Sequence, residues 1–192
     1  MPPADTATLA DALACDVAAM LRKRSDLHVV LLADGAPEMW NLLETHLGAE
    51  ALGLPPVQVH SSLDLWHVLE KLGKAARTIW GAQEGSKVTT AWHKRLLRRD
   101  SAPETILAEL RLSGLEWHKV GDDCPVHEAI TYLDNNADRM RYSRAVAHGL
   151  PVGSGNVEAT CKSLVQQRMK RAGARWKHDS GERVLQLRAL AL

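Results

Sequence analysis

Phenylalanine is absent from the 192 residues, tyrosine occurs twice and tryptophan six times. Tryptophan must therefore supply most of the large anchors of any core. No run of about 18 apolar residues occurs, which excludes a membrane-spanning helix. The stretch MPPADTATLADALACDV at the amino terminus carries acids and no Lys or Arg, so it does not read as a secretory signal, and the cytoplasm is the expected compartment. The three cysteines, Cys15, Cys124 and Cys161, are odd in number and far apart. That excludes a disulfide framework and a cysteine-based zinc spacing, and it predicts reduced, mostly buried thiols. Acids are missing between Lys162 and Lys177, where Lys162, Arg168, Lys170, Arg171, Arg175 and Lys177 follow one another.

What remains is an ordinary soluble composition, 45% apolar and 24% charged, long enough for one domain with a real core or one domain with an insertion. The net charge of +1 hides the basic stretch 162–177 and a second cluster, Lys94, Arg95, Arg98 and Arg99. Such stretches in a near-neutral protein suit a surface that faces a polyanion; each alone also reads as a solvated helix face.

Periodicity predicts a helix over 6–23, with Leu9, Leu13, Val17 and Leu21 on one face and Arg22, Lys23 and Arg24 at its carboxyl end. The apolar run 27–32 reads as a strand buried on both faces. It ends at Asp34-Gly35-Ala36-Pro37, behind which Pro37 and Glu38 suit the first turn of a helix over 37–47. After the break at Gly53–Pro56, Val57–His60 is a second strand candidate, and Ser61 and Ser62 offer caps to a helix over about 62–76. This order predicts an α/β layer with parallel strands. The middle of the chain is helical in pattern (88–99, 103–111, 125–138), punctuated by Pro103, Gly114, Gly121 and Pro125. A Gly-rich loop, 149–155, leads into a helix of about 155–171 that stops at Gly173, and a last helix covers about 180–190. The expected division is 1–63 (α/β core), 64–150 (all-α insertion) and 151–192 (return to the core).

Three groups could carry chemistry. Asp34 follows the carboxyl end of a strand, where ligands collect in α/β sheets, although Asp before Gly-Ala-Pro also makes a turn or cap. Asp64 and His67 stand at i and i+3, able to share a metal or to hold each other; a capping role for Asp64 and a structural one for His67 compete. His60 falls in a strand, which argues against a zinc site with Asp64 and His67. Glu158 lies one turn into the helix after Gly153-Ser154-Gly155, as a metal ligand with Lys162 near to meet phosphate, or as an i,i+4 pair with Lys162. The Gly-Ser-Gly run is not a P-loop.

The segments LADGAPEMWN (32–41), HSSLDLWHVLEKL (60–72), LDNNADRMRYSRAVAHGLPVGSGNVEATCK (133–162) and VQQRMKRAGARW (165–176), in this order and spacing, resemble the ISKra group of insertion-sequence transposases, over roughly 25–192. The resemblance implies a ribonuclease-H-like DDE catalytic domain that cleaves DNA with Mg²⁺ or Mn²⁺ and transfers the freed 3′ end. It makes Asp34 the second catalytic aspartate and Glu158 the catalytic glutamate, both metal ligands, and Asp64-x-x-His67 a D(2)H signature. The basic residues of 162–177 and 94–99 would hold phosphates of the transposon ends, a salt-sensitive interaction.

The first aspartate of such enzymes lies on a strand well upstream of the second. Here one helix and one strand precede Asp34, and Asp5, Asp11, Asp16 and Asp26 end no strand-like run. The expected fold is therefore a partial ribonuclease-H-like core of two parallel strands, mostly helical overall, with a large all-α insertion. A truncated or misannotated start is expected, with Mg²⁺ held weakly and no activity from the chain alone. An N-terminal fragment or a second copy would complete the strand edge. The competing readings are a non-catalytic DNA-binding or regulatory remnant and an unrelated helical adaptor.

Overall fold

The computed structural model describes residues 6–155 and the isolated positions 175, 177 and 180. The compact unit that ends at Gly153 contains all the elements named below. Helix α1 (Thr6–Lys23) is followed by β1 (Val29–Ala33), α2 (Pro37–Leu47), the short α3 (Ala49–Leu52) and β2 (Val59–Leu63). Then come α4 (Leu65–Arg98), α5 (Ala102–Leu112), α6 (Pro125–Asn136) and α7 (Tyr142–Ala147). Single 3₁₀ turns occupy Pro56–Gln58 and Ala137–Arg139. The described chain is mostly helical around one small parallel sheet, and among the described residues no helix is long and apolar enough to cross a membrane.

Strands β1 and β2 pair in parallel, Val29 opposite Val59 and Ala33 opposite Leu63. The expected strand at 57–60 and the helix from 62 are both displaced. Pro56–Gln58 forms a 3₁₀ turn, and Ser61 and Ser62 belong to the strand rather than capping a helix. Strand β1 is also less buried than its apolar run suggested, since Leu31 alone is fully covered.

Helix α1 buries Ala10, Ala14, Val17 and Leu21, a stripe rotated away from Leu9 and Leu13, which are exposed. Small residues on the inner face allow α1 to lie close against α2. Of the tryptophans in the described residues, Trp40 and Trp92 are core anchors, whereas Trp66, Trp80 and Trp117 are exposed. Cys15 is exposed and Cys124 half-buried, against the expectation of buried thiols; Cys161 lies outside the described residues.

The helix α4 is a hairpin. Gly81 has φ 76° and ψ 174°, outside the helical region, so the arms 65–80 and 82–98 fold back on one another. The expected helices at 62–76 and 88–99 are parts of these two arms. Gly85 permits the close approach, because a Cβ there would lie 2.7 Å from the Ala76 carbonyl oxygen. Near the open end, the Trp66 ring meets that of His93 with centroids 5.9 Å apart. Helix α4 packs against α5, α6 and α7, and one apolar cluster runs from Leu31 and Trp40 through Leu72, Trp92 and Ile106 to Leu133 and Tyr142. The elements of 6–63 and those of 64–150 thus share a core, and no break in packing falls at residue 64. The Arg139 guanidinium adds a tie, lying 4.7 Å above the Trp40 ring and reaching Glu44 at 2.9 Å.

Across the strand pair, His28 Nδ1 and His60 Nε2 are 2.9 Å apart, with the rings stacked. Burial, then His28, then His148 hold the His60 imidazole below its ordinary pKa. A histidine whose folded pKa is lowered takes up its proton more readily when unfolded. Its contribution is therefore fully present above the unfolded value of about 6.5 and is lost as pH falls below it. The urea midpoint should drop between pH 7.5 and pH 5, and His60→Asn should flatten that dependence. An unchanged slope in the variant would remove His60 as its source.

Candidate functional site

Both strands deliver an aspartate to the same edge. Ala33 and Leu63 are paired, so Asp34 and Asp64 stand level at the carboxyl ends of β1 and β2. The Asp64 N–H donates to the Ala33 carbonyl at 2.8 Å, which extends the ladder by one bond. Beyond that point the two side chains differ. Asp34 is exposed, and its Oδ1 accepts one long bond, 3.3 Å, from the Ala36 N–H. It does not cap α2, whose N-cap is Ala36 without a side-chain bond. Asp64 is 2% exposed and is the N-cap of α4, accepting from the Trp66 N–H at 2.8 Å.

Asp64 therefore stands just before the helix, with His67 beside it at i+3. The His67 Nδ1 is 3.7 Å from Asp64 Oδ1, an ion-pair distance when His67 is protonated and too long for a good hydrogen bond. Asp64→Ala should cost about 1–2 kcal/mol through loss of the cap, read from urea unfolding. A loss below the range of surface substitutions would show that the cap contributes nothing.

The Asp34 turn is clamped from α6. Tyr132 Oη donates to the Asp34 carbonyl at 2.6 Å. Gly35 has φ 97°, and a Cβ there would lie 3.1 Å from Tyr132 Cε2 and 3.2 Å from Leu63 Cδ1. Only glycine fits both the backbone conformation and the space. Burial, then Asp34, then Asp64 push the Tyr132 phenol above its ordinary pKa. Burial, then Tyr132, then Asp64 do the same to Tyr142, whose buried hydroxyl has no hydrogen-bond partner among the described residues. Both phenols are thus neutral, and Tyr132 is the one that donates to the Asp34 turn.

The loop after α7 crosses the same edge. The Leu65 N–H donates to the Val152 carbonyl at 3.0 Å, and a Cβ on Gly153 would lie 3.0 Å from the Trp66 ring and 3.8 Å from Asp64 Oδ1. Trp66 itself is 59% exposed. Sequence reasoning missed Gly35, Trp66, His93 and Tyr132. The run Asp-Gly-Ala-Pro held a signal for Gly35, whereas no local pattern pointed to the other three.

Glu158 and the residues Lys162, Arg168, Lys170 and Arg171 lie outside the described residues; Arg175 and Lys177 are exposed. The helices expected at 155–171 and 180–190 likewise fall there. Among the described residues no group of three His, Cys, Asp or Glu side chains could hold a metal ion. Asp34 fits as one oxygen ligand for a hard cation, and a lone carboxylate does not hold Mg²⁺, which keeps its waters unless several ligands converge. His60 is in β2 and its partner is His28, not Asp64 or His67. No family model matches the chain, and no curated protein or solved structure gives a significant match to it.

Proposed function

We propose that this chain carries the second and third carboxylates of a DDE-type, ribonuclease-H-like transposase domain, with Asp34 and Glu158 as the metal-binding pair. The observation that carries the reading is the contrast between two level aspartates. Asp34 is exposed at the end of β1 on a turn fixed by Tyr132, while Asp64 is turned inward to cap α4. A strand-end carboxylate that satisfies little of its own backbone is available to a ligand. The element order α1–β1–α2–β2 with parallel pairing agrees with the part of such a core that follows its first three strands.

A divalent ion held there would activate water and stabilise the departing 3′ oxygen of DNA. Asp34 and Glu158 would be its ligands, and Tyr132 would hold the Asp34 turn. The first carboxylate, and the strand that would pair with the outer edge of β1, would come from an N-terminal fragment or a second copy. The D(2)H pair is read here as structural, Asp64 capping and His67 beside it. The second reading, a non-catalytic DNA-binding or regulatory protein, is favoured by the single exposed carboxylate of the described site.

Iron-directed cleavage tests the proposal. Fe²⁺ with ascorbate and peroxide should cut the backbone near residues 34 and 158, excess Mg²⁺ should suppress the cuts, and Asp34→Asn should remove them. Cuts confined to the His28–His60 pair, or none at all, would overturn it.

A further inference from the structure

The return arm of α4 carries its cations toward the open end of the hairpin, where His93 meets Trp66, the second residue of the helix that Asp64 caps. Lys94, Arg95, Arg98 and Arg99 come directly after His93. They line a cleft of about 520 Å³ between the end of α4 and α5, together with Thr105 and Glu109.

The acid in this cleft is already engaged. Glu109 Oε1 is bound by Arg95 Nη1, and Oε2 accepts from Trp92 Nε1 at 2.7 Å. The Thr105 hydroxyl donates to the Ala102 carbonyl at 2.9 Å. Among the described residues no carboxylate pairs with Lys94, Arg98 or Arg99. Lys94 and Arg98 share a face at i and i+4. The negative end of the α4 dipole accounts for a cation or two in the last turn. It does not account for several unpaired ones gathered around a cleft, where they repel one another in the absence of an anion.

We infer that this cleft is a binding site for the phosphodiester backbone of DNA, held by Lys94, Arg98 and Arg99. Arg95 positions the wall through Glu109. Like-charged cations in a concave wall suit successive phosphates of one strand, and the contacts carry no sequence preference. The exposed Trp66 stands beside His93, the residue before Lys94, where a splayed base could stack. This site deepens the DNA-processing reading and rests on it for the choice of polyanion.

The test is anisotropy of a labelled DNA duplex titrated with the full chain over a series of salt concentrations. Wild type, Lys94→Ala/Arg98→Ala/Arg99→Ala, Arg98→Lys/Arg99→Lys and Asp34→Asn/Glu158→Gln are compared. The triple variant should bind roughly 10- to 100-fold more weakly at moderate salt, and its log–log salt slope should be shallower by about 2.7, near 0.9 for each lost phosphate contact. The lysine variant should keep most of the slope, and the carboxylate variant should bind at least as well as wild type. Equal binding by the triple variant, with an unchanged melting curve, would overturn the cleft and leave the DNA reading to the 162–177 stretch. No binding by wild type at low salt would overturn both. Displacement by inorganic tripolyphosphate at equal phosphate concentration would overturn the assignment to nucleic acid. Weakened binding in the triple variant, with no iron-directed cuts near Asp34, would uphold the cleft while the catalytic reading fails.

Discussion

Trp92→Ala is expected to cost about 3–5 kcal/mol of stability, the range for truncating a buried aromatic to alanine. Trp92 is 1% exposed and stands on the return arm of α4, where that arm meets α5. Its ring packs edge-on against Trp80, with centroids 5.6 Å apart and planes at 73°. Its Nε1–H bonds to Glu109 at 2.7 Å. The chain has no phenylalanine, so few other large rings can share this load. Truncation leaves a cavity and strips Glu109 of one donor. Trp92→Phe separates the two effects: it keeps most of the volume and loses the hydrogen bond, at about 1–3 kcal/mol. Urea unfolding followed by circular dichroism reads both. A loss under about 1 kcal/mol for the alanine variant would mean that the α4–α5 wall is not held by this side chain.

Asp34→Asn should do the opposite, leaving stability within about 0.5 kcal/mol and removing metal affinity. The carboxylate is exposed, and its long bond from the Ala36 N–H, 3.3 Å, can be kept by the amide oxygen. A divalent ion loses a charged ligand, and its affinity should fall by more than about 10-fold. Asp64→Ala makes the mirror-image control, with stability lost and metal affinity retained, because that carboxylate faces the α4 amino terminus. Similar metal affinity in wild type and Asp34→Asn would leave Asp34 as a turn residue.

The parts of the fold legible in the sequence were those with local punctuation. Helix α2 begins at Pro37, and α1 ends in Arg22 and Lys23, as expected from the preference of proline for the first turn and of cations for the last. Strand β2 was misplaced because Ser61 and Ser62 have the chemistry of caps. Pairing with β1 supplies backbone bonds that override their weak strand preference. The α4 hairpin was hidden by three glycines, Gly73, Gly81 and Gly85, of which Gly81 alone has positive φ; tertiary packing decides which one turns.

At the site, the alternation of an apolar strand with a following Asp-Gly made Asp34 visible. The hold on that turn by Tyr132 spans 98 residues, and no local periodicity encodes a contact of that range. That Asp34 and Asp64 stand level was not legible, since Asp64 follows His-Ser-Ser-Leu, which does not read as the end of a strand. The difference between the two is three-dimensional: Trp66 presents its N–H to one carboxylate, and solvent meets the other.

The central claim is that Asp34 and Glu158 bind one divalent ion together. A Mn²⁺ titration followed by water-proton relaxation measures this directly on the full chain, with Asp34→Asn, Glu158→Gln and Asp64→Ala alongside. Weak but saturable binding is expected in wild type and Asp64→Ala, with either of the other two substitutions weakening it more than about 10-fold. No saturable binding in wild type, or equal binding in all four proteins, would contradict the claim.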